Sequence, residues 1–189
     1  MIFSRYMKKD NYIYIHLIGD AGKVIGLREV EESVRKEFGA ATKISRSRIK
    51  PQDAYDPARK QCHSTKILKE MLDELPADAA KMIGVTSPDL FIPILTFVFG
   101  EAQLNGHVGI VSLARLQQEF YGLPPNQAVL QRRLIKEIKH ELGHTFGLVH
   151  CSLRECVMSV ANNIADVDAK GFSFCEGCRE LLRRSRKVH

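Results

Sequence analysis

Strands alternating with helices over the first two-thirds of the chain predict an α+β, α/β-like fold, with helices packed on a mixed, twisted sheet. Three observations carry this. Residues 11–18 alternate Tyr12, Tyr14 and His16 against Ile13, Ile15 and Leu17, the two-residue period of a strand. Residues 24–38 and 127–146 carry apolar side chains at helical spacing. Asn105-Gly106 sits between two apolar runs, a strong hairpin signal.

The elements follow in order. After the first strand, Gly19-Asp20-Ala21-Gly22 makes a turn. The helix over 24–38 places Val24, Leu27, Val30, Val34 and Phe38 on one face and stops at Gly39. Residues 42–49 give a second strand. Residues 50–63 are polar, carry Pro51 and Pro57, and predict a loop. Ser64 caps a helix over 64–75 that Pro76 ends. Strands follow over 80–85, 96–103 and 107–113. The helix over 127–146 has Asn126 as cap and Gly147 as stop. Beyond His150 regular patterning fades until a basic helix over 176–186. With no repeat, low-complexity tract or linker, one domain over 1–189 is expected. Its sheet and long helix would lie in 1–147, and an irregular C-terminal part in 148–189.

A hydrophobic share of 44% and a charged share of 26% fit a water-soluble globular chain. The net charge of +6 permits an acidic partner without demanding one. Arg179, Arg183, Arg184, Arg186 and Lys187 crowd the last eleven residues. Only Phe172 and Phe174 lie close by, which argues against a nucleic-acid surface. No apolar run reaches the roughly 18 residues of a membrane span. Residues 1–9 lack the apolar core of a signal peptide, so a cytoplasmic location is expected. A monomer is expected as well. In a reducing compartment, clustered cysteines point to metal more than to disulfides.

The chemistry concentrates in His140-Glu141-Leu142-Gly143-His144-Thr145-Phe146-Gly147-Leu148-Val149-His150. On a helix, residues i and i+4 share a face, so His140 and His144 can address one metal ion. Glu141 is placed to hold a water beside that ion. Gly147 permits the sharp turn that brings His150 back as a third ligand. Three nitrogens leave one position open, the mark of a catalytic zinc. A chance coincidence of all five positions is on the order of one in ten thousand for such a chain. Glu141 is then the general base for hydrolysis of a peptide bond or other amide by a zinc-activated water.

Cys151, Cys156, Cys175 and Cys178 form a C-x4-C and a C-x2-C pair separated by a loop. Such pairs suit a closed, structural zinc site. Disulfides, or a redox-active Cys175/Cys178 pair, are the competing readings. Since Cys151 follows His150 directly, a second zinc would help fix the third ligand of the first. Cys62 is the odd thiol, expected to be an ordinary partly buried residue.

His140 to His150 followed by Met158 resembles the metzincin zinc peptidases. With Cys151, Cys156, Cys175 and Cys178 the pattern is specifically similar to the archaemetzincins, over 39 residues from His140 to Cys178. Residues 100–107 and 110–112 resemble the hairpin beside the cleft in that family. The resemblance implies a compact metzincin-like fold, a catalytic zinc, a second zinc on the four cysteines and a Met-turn at Met158. Several other metzincins place a Tyr two residues after that Met. Val160 stands here, so the second oxyanion donor is unassigned, with His107 a weak candidate.

A metzincin-like site would bind an extended peptide alongside an edge strand. The strand over 107–113 is nominated for this, through the backbone of Gly109, Ile110 and Val111, with Gly109 allowing close approach. The resemblance also allows aminopeptidase activity, which needs a group for the free amine. Glu101 is one of many carboxylates available. The alternatives are a catalytically silent zinc protein that binds a partner, and a nucleic-acid-binding module.

Overall fold

The computed structural model describes residues 12–23 and 25–185. Asn11, Val24, Arg186 and Lys187, which enter the expectations above, lie outside the described residues. In chain order the elements are β1 (Tyr12–Leu17), α1 (Leu27–Phe38), β2 (Ala41–Arg46), β3 (Tyr55–Asp56), β4 (Gln61–His63), α2 (Ser64–Asp73) and β5 (Ala79–Thr86). There follow β6 (Leu90–Phe91), β7 (Gly100–Ala102), β8 (Val108–Ser112), α3 (Gln127–Thr145), α4 (Ile164–Ala169) and α5 (Glu176–Ser185).

The main sheet has the order β2-β1-β5-β8-β7. The first four strands run parallel, and β7 is antiparallel to β8 at the edge. The central strands are buried on both faces, as parallel strands with helices on either side must be. In β1, Ile13, Ile15 and Leu17 face a core built with α1, α3 and the C-terminal part. Tyr14 faces the second core, which Ile67, Leu68 and Met71 of α2 complete. In β8 the same alternation sends Val111 toward α3, and Val108 and Ile110 toward α2.

Gly39 closes α1 in the left-handed conformation, φ 60°. The Asn126 side chain accepts from Val129 N at 3.1 Å, a cap worth about 1 kcal/mol. The other end of α3 is held from the hairpin. Asn105 N–H donates to His144 O at 2.9 Å, and Lys81 Nζ donates to Thr145 O at 2.8 Å and Gly106 O at 2.6 Å.

Several expectations need correction. The strand expected over 96–103 shrinks to Gly100–Ala102. Arg59 Nη1 takes the Leu95 carbonyl (2.9 Å) and Gln61 Nε2 takes that of Thr96 (3.0 Å), so side chains bind groups a ladder would have used. The stretch 50–63 contains β3 and β4, which form a small sheet with β6. Strands this short leave no readable period. Ser64 does not cap α2; His63 occupies that position, and Ser64 Oγ donates instead to Phe91 O (3.0 Å) and to the Glu101 carboxylate. The faded region holds α4, started by a capping box between Asn163 and Asp166.

The C-terminal part is fixed to α3 by cations that are themselves buried. Arg133 makes a paired contact with Asp168 (2.7 and 2.6 Å). Lys136 Nζ donates to Val167 O and Asp168 O, and Lys139 Nζ to Phe172 O. Lys170 Nζ lies 2.6 Å from Glu137 Oε1, both side chains almost wholly enclosed. Of the basic residues on α5, Arg179 faces Glu37, while Arg183 and Arg184 face Glu180. Among the described residues, no helix is long and apolar enough to cross a membrane.

Candidate metal centre and cleft

Helical spacing puts His140 and His144 on one face of α3. The chain leaves the helix at Thr145, turns at Gly147 (φ 86°), and returns His150 to the same point. One ligand atom from each of the three imidazoles falls within 4.8 Å of the others. The ring orientations are set from behind. His140 Nδ1 donates to Val157 O at 2.8 Å and His144 Nδ1 to Leu148 O at 2.7 Å.

That arrangement tests the fit of a metal. Both Nδ1 atoms face carbonyl oxygens and must carry the protons. Burial, then the charge of Lys170, holds His140 well below the usual imidazole range. Burial also lowers His144 and His150. The neutral rings therefore turn two bare Nε2 lone pairs toward each other across 3.2 Å. Two nitrogens each about 2.05 Å from a tetrahedral zinc stand about 3.3 Å apart. The donor set fits a zinc ion, and a cation between them removes the lone-pair repulsion.

Glu141 occupies the next helical position and is buried, with a small part of it facing the cleft. Burial first, then the neighbouring charge of Glu137, raises its carboxyl well above the ordinary range; Glu101 adds to this and Lys170 opposes it. A cation held by the imidazoles would favour its ionised form. One glycine gives its carboxylate room, and a second lies in ordinary contact distance of its Cβ. A Cβ at Gly100 would lie 2.7 Å from Glu141 Oε1, and one at Gly109 would lie 3.4 Å from Glu141 Cβ. Gly100 was missed in the sequence, although an isolated glycine in a strand marks close approach, the rule applied to Gly109.

Met158 is fully buried beneath the helix. A Cβ at Gly143 would meet its sulfur at 2.5 Å, so Gly143 lets the Met sit between the turns that carry His140 and His144. Cys151 N–H donates to Met158 O at 3.0 Å, which ties the residue after His150 to this floor.

Cys151, Cys156, Cys175 and Cys178 also converge, with their sulfurs within 4.8 Å, and all are free thiols. Cys151 Sγ and Cys175 Sγ are 3.8 Å apart. Two sulfurs each about 2.3 Å from a tetrahedral zinc stand about 3.8 Å apart, so this set also fits zinc. The backbone N–H of Cys178 draws the Cys175 thiol down to about 7, whereas burial pushes Cys156 and Cys178 up. Four such sulfurs share one enclosure as thiolates only around a cation. Cys62 is buried far from both sets and donates to Pro51 O at 3.2 Å.

The three imidazoles and Glu141 line a cleft of about 670 Å³. Gly100, Glu101 and Ala102 form one wall, and Val160 lines it too, half exposed and without a polar atom. His107 does not line it; its ring faces Ala80 O. Gly109, Ile110 and Val111 need the larger correction. They belong to β8, which pairs with β5 on one side and β7 on the other, so their backbone is not free for a peptide. The open edge is β7. Phe99 O accepts from Ser112 N and Gln103 N donates to Val108 O. By alternation, Gly100 and Ala102 turn their N–H and C=O groups outward. Glu137 and Lys170 were also missed. A buried Lys met only through the tertiary fold leaves no local signal.

Comparison with known proteins supplies the family. The family model described as Peptidase family M54 matches residues 27–184. The archaemetzincin of Methanocaldococcus jannaschii is 43% identical over 171 residues, covering 90% of this chain and 92% of that one. The crystal structure of archaemetzincin from Methanopyrus kandleri superposes with a TM-score of 0.81 at 34% identity, covering 96% of this chain and 99% of that one. A structure described as a zinc-dependent peptidase from Methanocorpusculum labreanum gives a TM-score of 0.77 at 32% identity, covering 90% and 99%. The chain belongs to peptidase family M54, the archaemetzincins, and is a zinc metallopeptidase of that family.

Proposed function

We propose that the chain hydrolyses peptide bonds at a zinc held by His140, His144 and His150, with Glu141 as general base. A second zinc on Cys151, Cys156, Cys175 and Cys178 is structural in this reading. The observation that carries it is the pair of bare Nε2 atoms 3.2 Å apart, with the buried Glu141 on the same wall. Zinc in that position supplies Lewis acidity, both to water and to a substrate carbonyl. Glu141 then takes the water proton and passes it to the leaving amine. Gly100 and Ala102 offer their outward backbone groups to an extended peptide lying along β7. The Val160 side chain supplies no donor for the oxyanion, so among this chain's groups that load would fall to backbone N–H groups.

Metal analysis joined to a peptide library tests this. Zinc-loaded wild type is expected to carry two zinc ions per chain and to cleave members of the library. His150→Ala is expected to keep one zinc and to cleave none. A His150→Ala protein that keeps both ions and full activity would sink the assignment.

A further inference from the structure

The cleft wall carries a carboxylate that this chemistry does not use. Three carboxylates line the cleft: Glu101, Glu137 and Glu141. Glu141 is the base. Glu137 is enclosed and neutralised by Lys170 at 2.6 Å. Glu101 has no cation partner among the described residues, yet it is held rigidly. Ser64 Oγ donates to Oε2, and Thr65 Oγ1 donates to Oε1 at 2.8 Å and to Oε2 at 3.1 Å. Oε2 accepts from both hydroxyls and Oε1 from Thr65 alone, which leaves Oε1 a lone pair to spare.

Its position on the strand gives it a direction. Side chains alternate across β7, and Gly100 backs onto Glu141, so Glu101 faces the α2 side of the sheet. A peptide lying along β7 alternates in the same way. The residue beside Gly100 faces the metal side, and the residue beside Glu101 faces away from it. An anion fixed there, on the one open edge of the cleft, suits an organic cation one residue removed from the group seated over Glu141.

We propose that Glu101 is a cation-recognition subsite that selects peptides presenting an ammonium or guanidinium group beside the scissile region. This rests on the peptidase reading above and adds a substrate class to it. The cation has two sources, the free α-amine of a peptide N-terminus or a Lys or Arg side chain. The former makes the chain an aminopeptidase. The competing role for Glu101 is structural: it accepts from residues at the N-terminus of α2, where an anion is stabilising in any case.

The experiment separates these roles. Full-length, zinc-loaded protein carrying Glu141→Gln binds peptides without turnover, and its affinities are read by calorimetry. Three versions of one library hit are compared: free N-terminus, acetylated N-terminus, and acetylated with a single Lys at successive positions. A charge-assisted contact predicts that a cationic version binds about ten to a hundred times more tightly than the neutral one. The preferred version identifies the source of the cation. Adding Glu101→Gln, whose one amide oxygen can stand at the Oε2 position and still accept from Ser64 and Thr65, collapses that ratio to about one. A structural role would weaken all three versions together and leave the ratio standing. Should Glu101→Gln fail to fold, Glu101→Asp keeps the charge but withdraws it by one methylene, and the preference shrinks. Equal binding of cationic and neutral peptides overturns the proposal, as does a preference that survives loss of Glu101 or an absence of binding by all three. A wild type that binds with the preference but never cleaves overturns the peptidase reading alone.

Discussion

At the scale of single residues, the geometry depends as much on missing atoms as on present ones. A side chain at Gly100 would meet the backbone carbonyl oxygen of Ile110 at 2.6 Å and the Glu141 carboxylate at 2.7 Å. Gly100→Ala must displace either the strand or the base by a few tenths of an ångström or more. A misplacement approaching 1 Å costs about a hundredfold. We expect kcat/KM to fall by about that factor, carried mainly by kcat, with two zinc ions still bound. Unchanged kinetics would mean that Glu141 moves freely. Much at this scale was legible in the sequence. The convergence of His140, His144 and His150, and that of the four cysteines, could be read from residue type and local spacing together. Gly100 and Lys170 were not legible, because what makes them matter is a neighbour brought in by long-range pairing. At Gly109 the close approach is real but comes from Ile83 and Ala102, whose side chains lie 3.1 and 3.3 Å from where a Cβ would stand.

At the scale of elements, the C-terminal part is irregular in backbone yet tightly held. Lys170 and Glu137 form an enclosed ion pair linking α4 to the active-site helix. Removing one partner of such a pair costs about 3–5 kcal/mol, since the other charge is left buried. Lys170→Met should lower unfolding stability by that order, and adding Glu137→Leu should recover most of it. Chemical denaturation of the two variants checks this, and equal stability of both would show that the charges are not coupled. The cysteine cluster tests another link. Cys151 follows His150 and bonds through its backbone to Met158, so the two metal sets share one short stretch of chain. Cys175→Ser is expected to lower the melting temperature and to reduce zinc at both sites. Loss of a single zinc with an unmoved catalytic site would separate them. The strand elements show where sequence reasoning ends. The period of β8 was readable and its burial was not, because edge or centre is decided by which strands pair with it.

At the scale of the whole molecule, one cluster away from the cleft ties β1, β2 and the end of α2 together. His16 Nε2 lies 2.7 Å from Glu74 Oε2, and Ser47 Oγ and Arg48 N–H also donate to that carboxylate. Burial pushes the Glu74 carboxyl up, but the bonds from Ser47, Arg48 and His16 outweigh it and bring it down to about 2. A carboxyl depressed in the folded state contributes stability above its unfolded value of about 4.3, and loses it as pH falls through the folded value. The expected loss is about 3 kcal/mol between pH 5 and pH 2. Glu74→Gln should flatten that part of the stability curve, and an unaltered slope would contradict the assignment. The family, the α+β class and the helix that carries His140 and His144 were all visible in the sequence, because they rest on local patterns. The cleft wall was not, because β7 becomes an edge only once the sheet is assembled. The role of Glu141 is tested most directly by kcat/KM for a cleaved peptide, measured on wild type and Glu141→Gln at matched zinc content. The variant is expected to keep both zinc ions and to lose a factor of about 10² to 10⁴ in rate. A variant with full zinc and undiminished cleavage would contradict it.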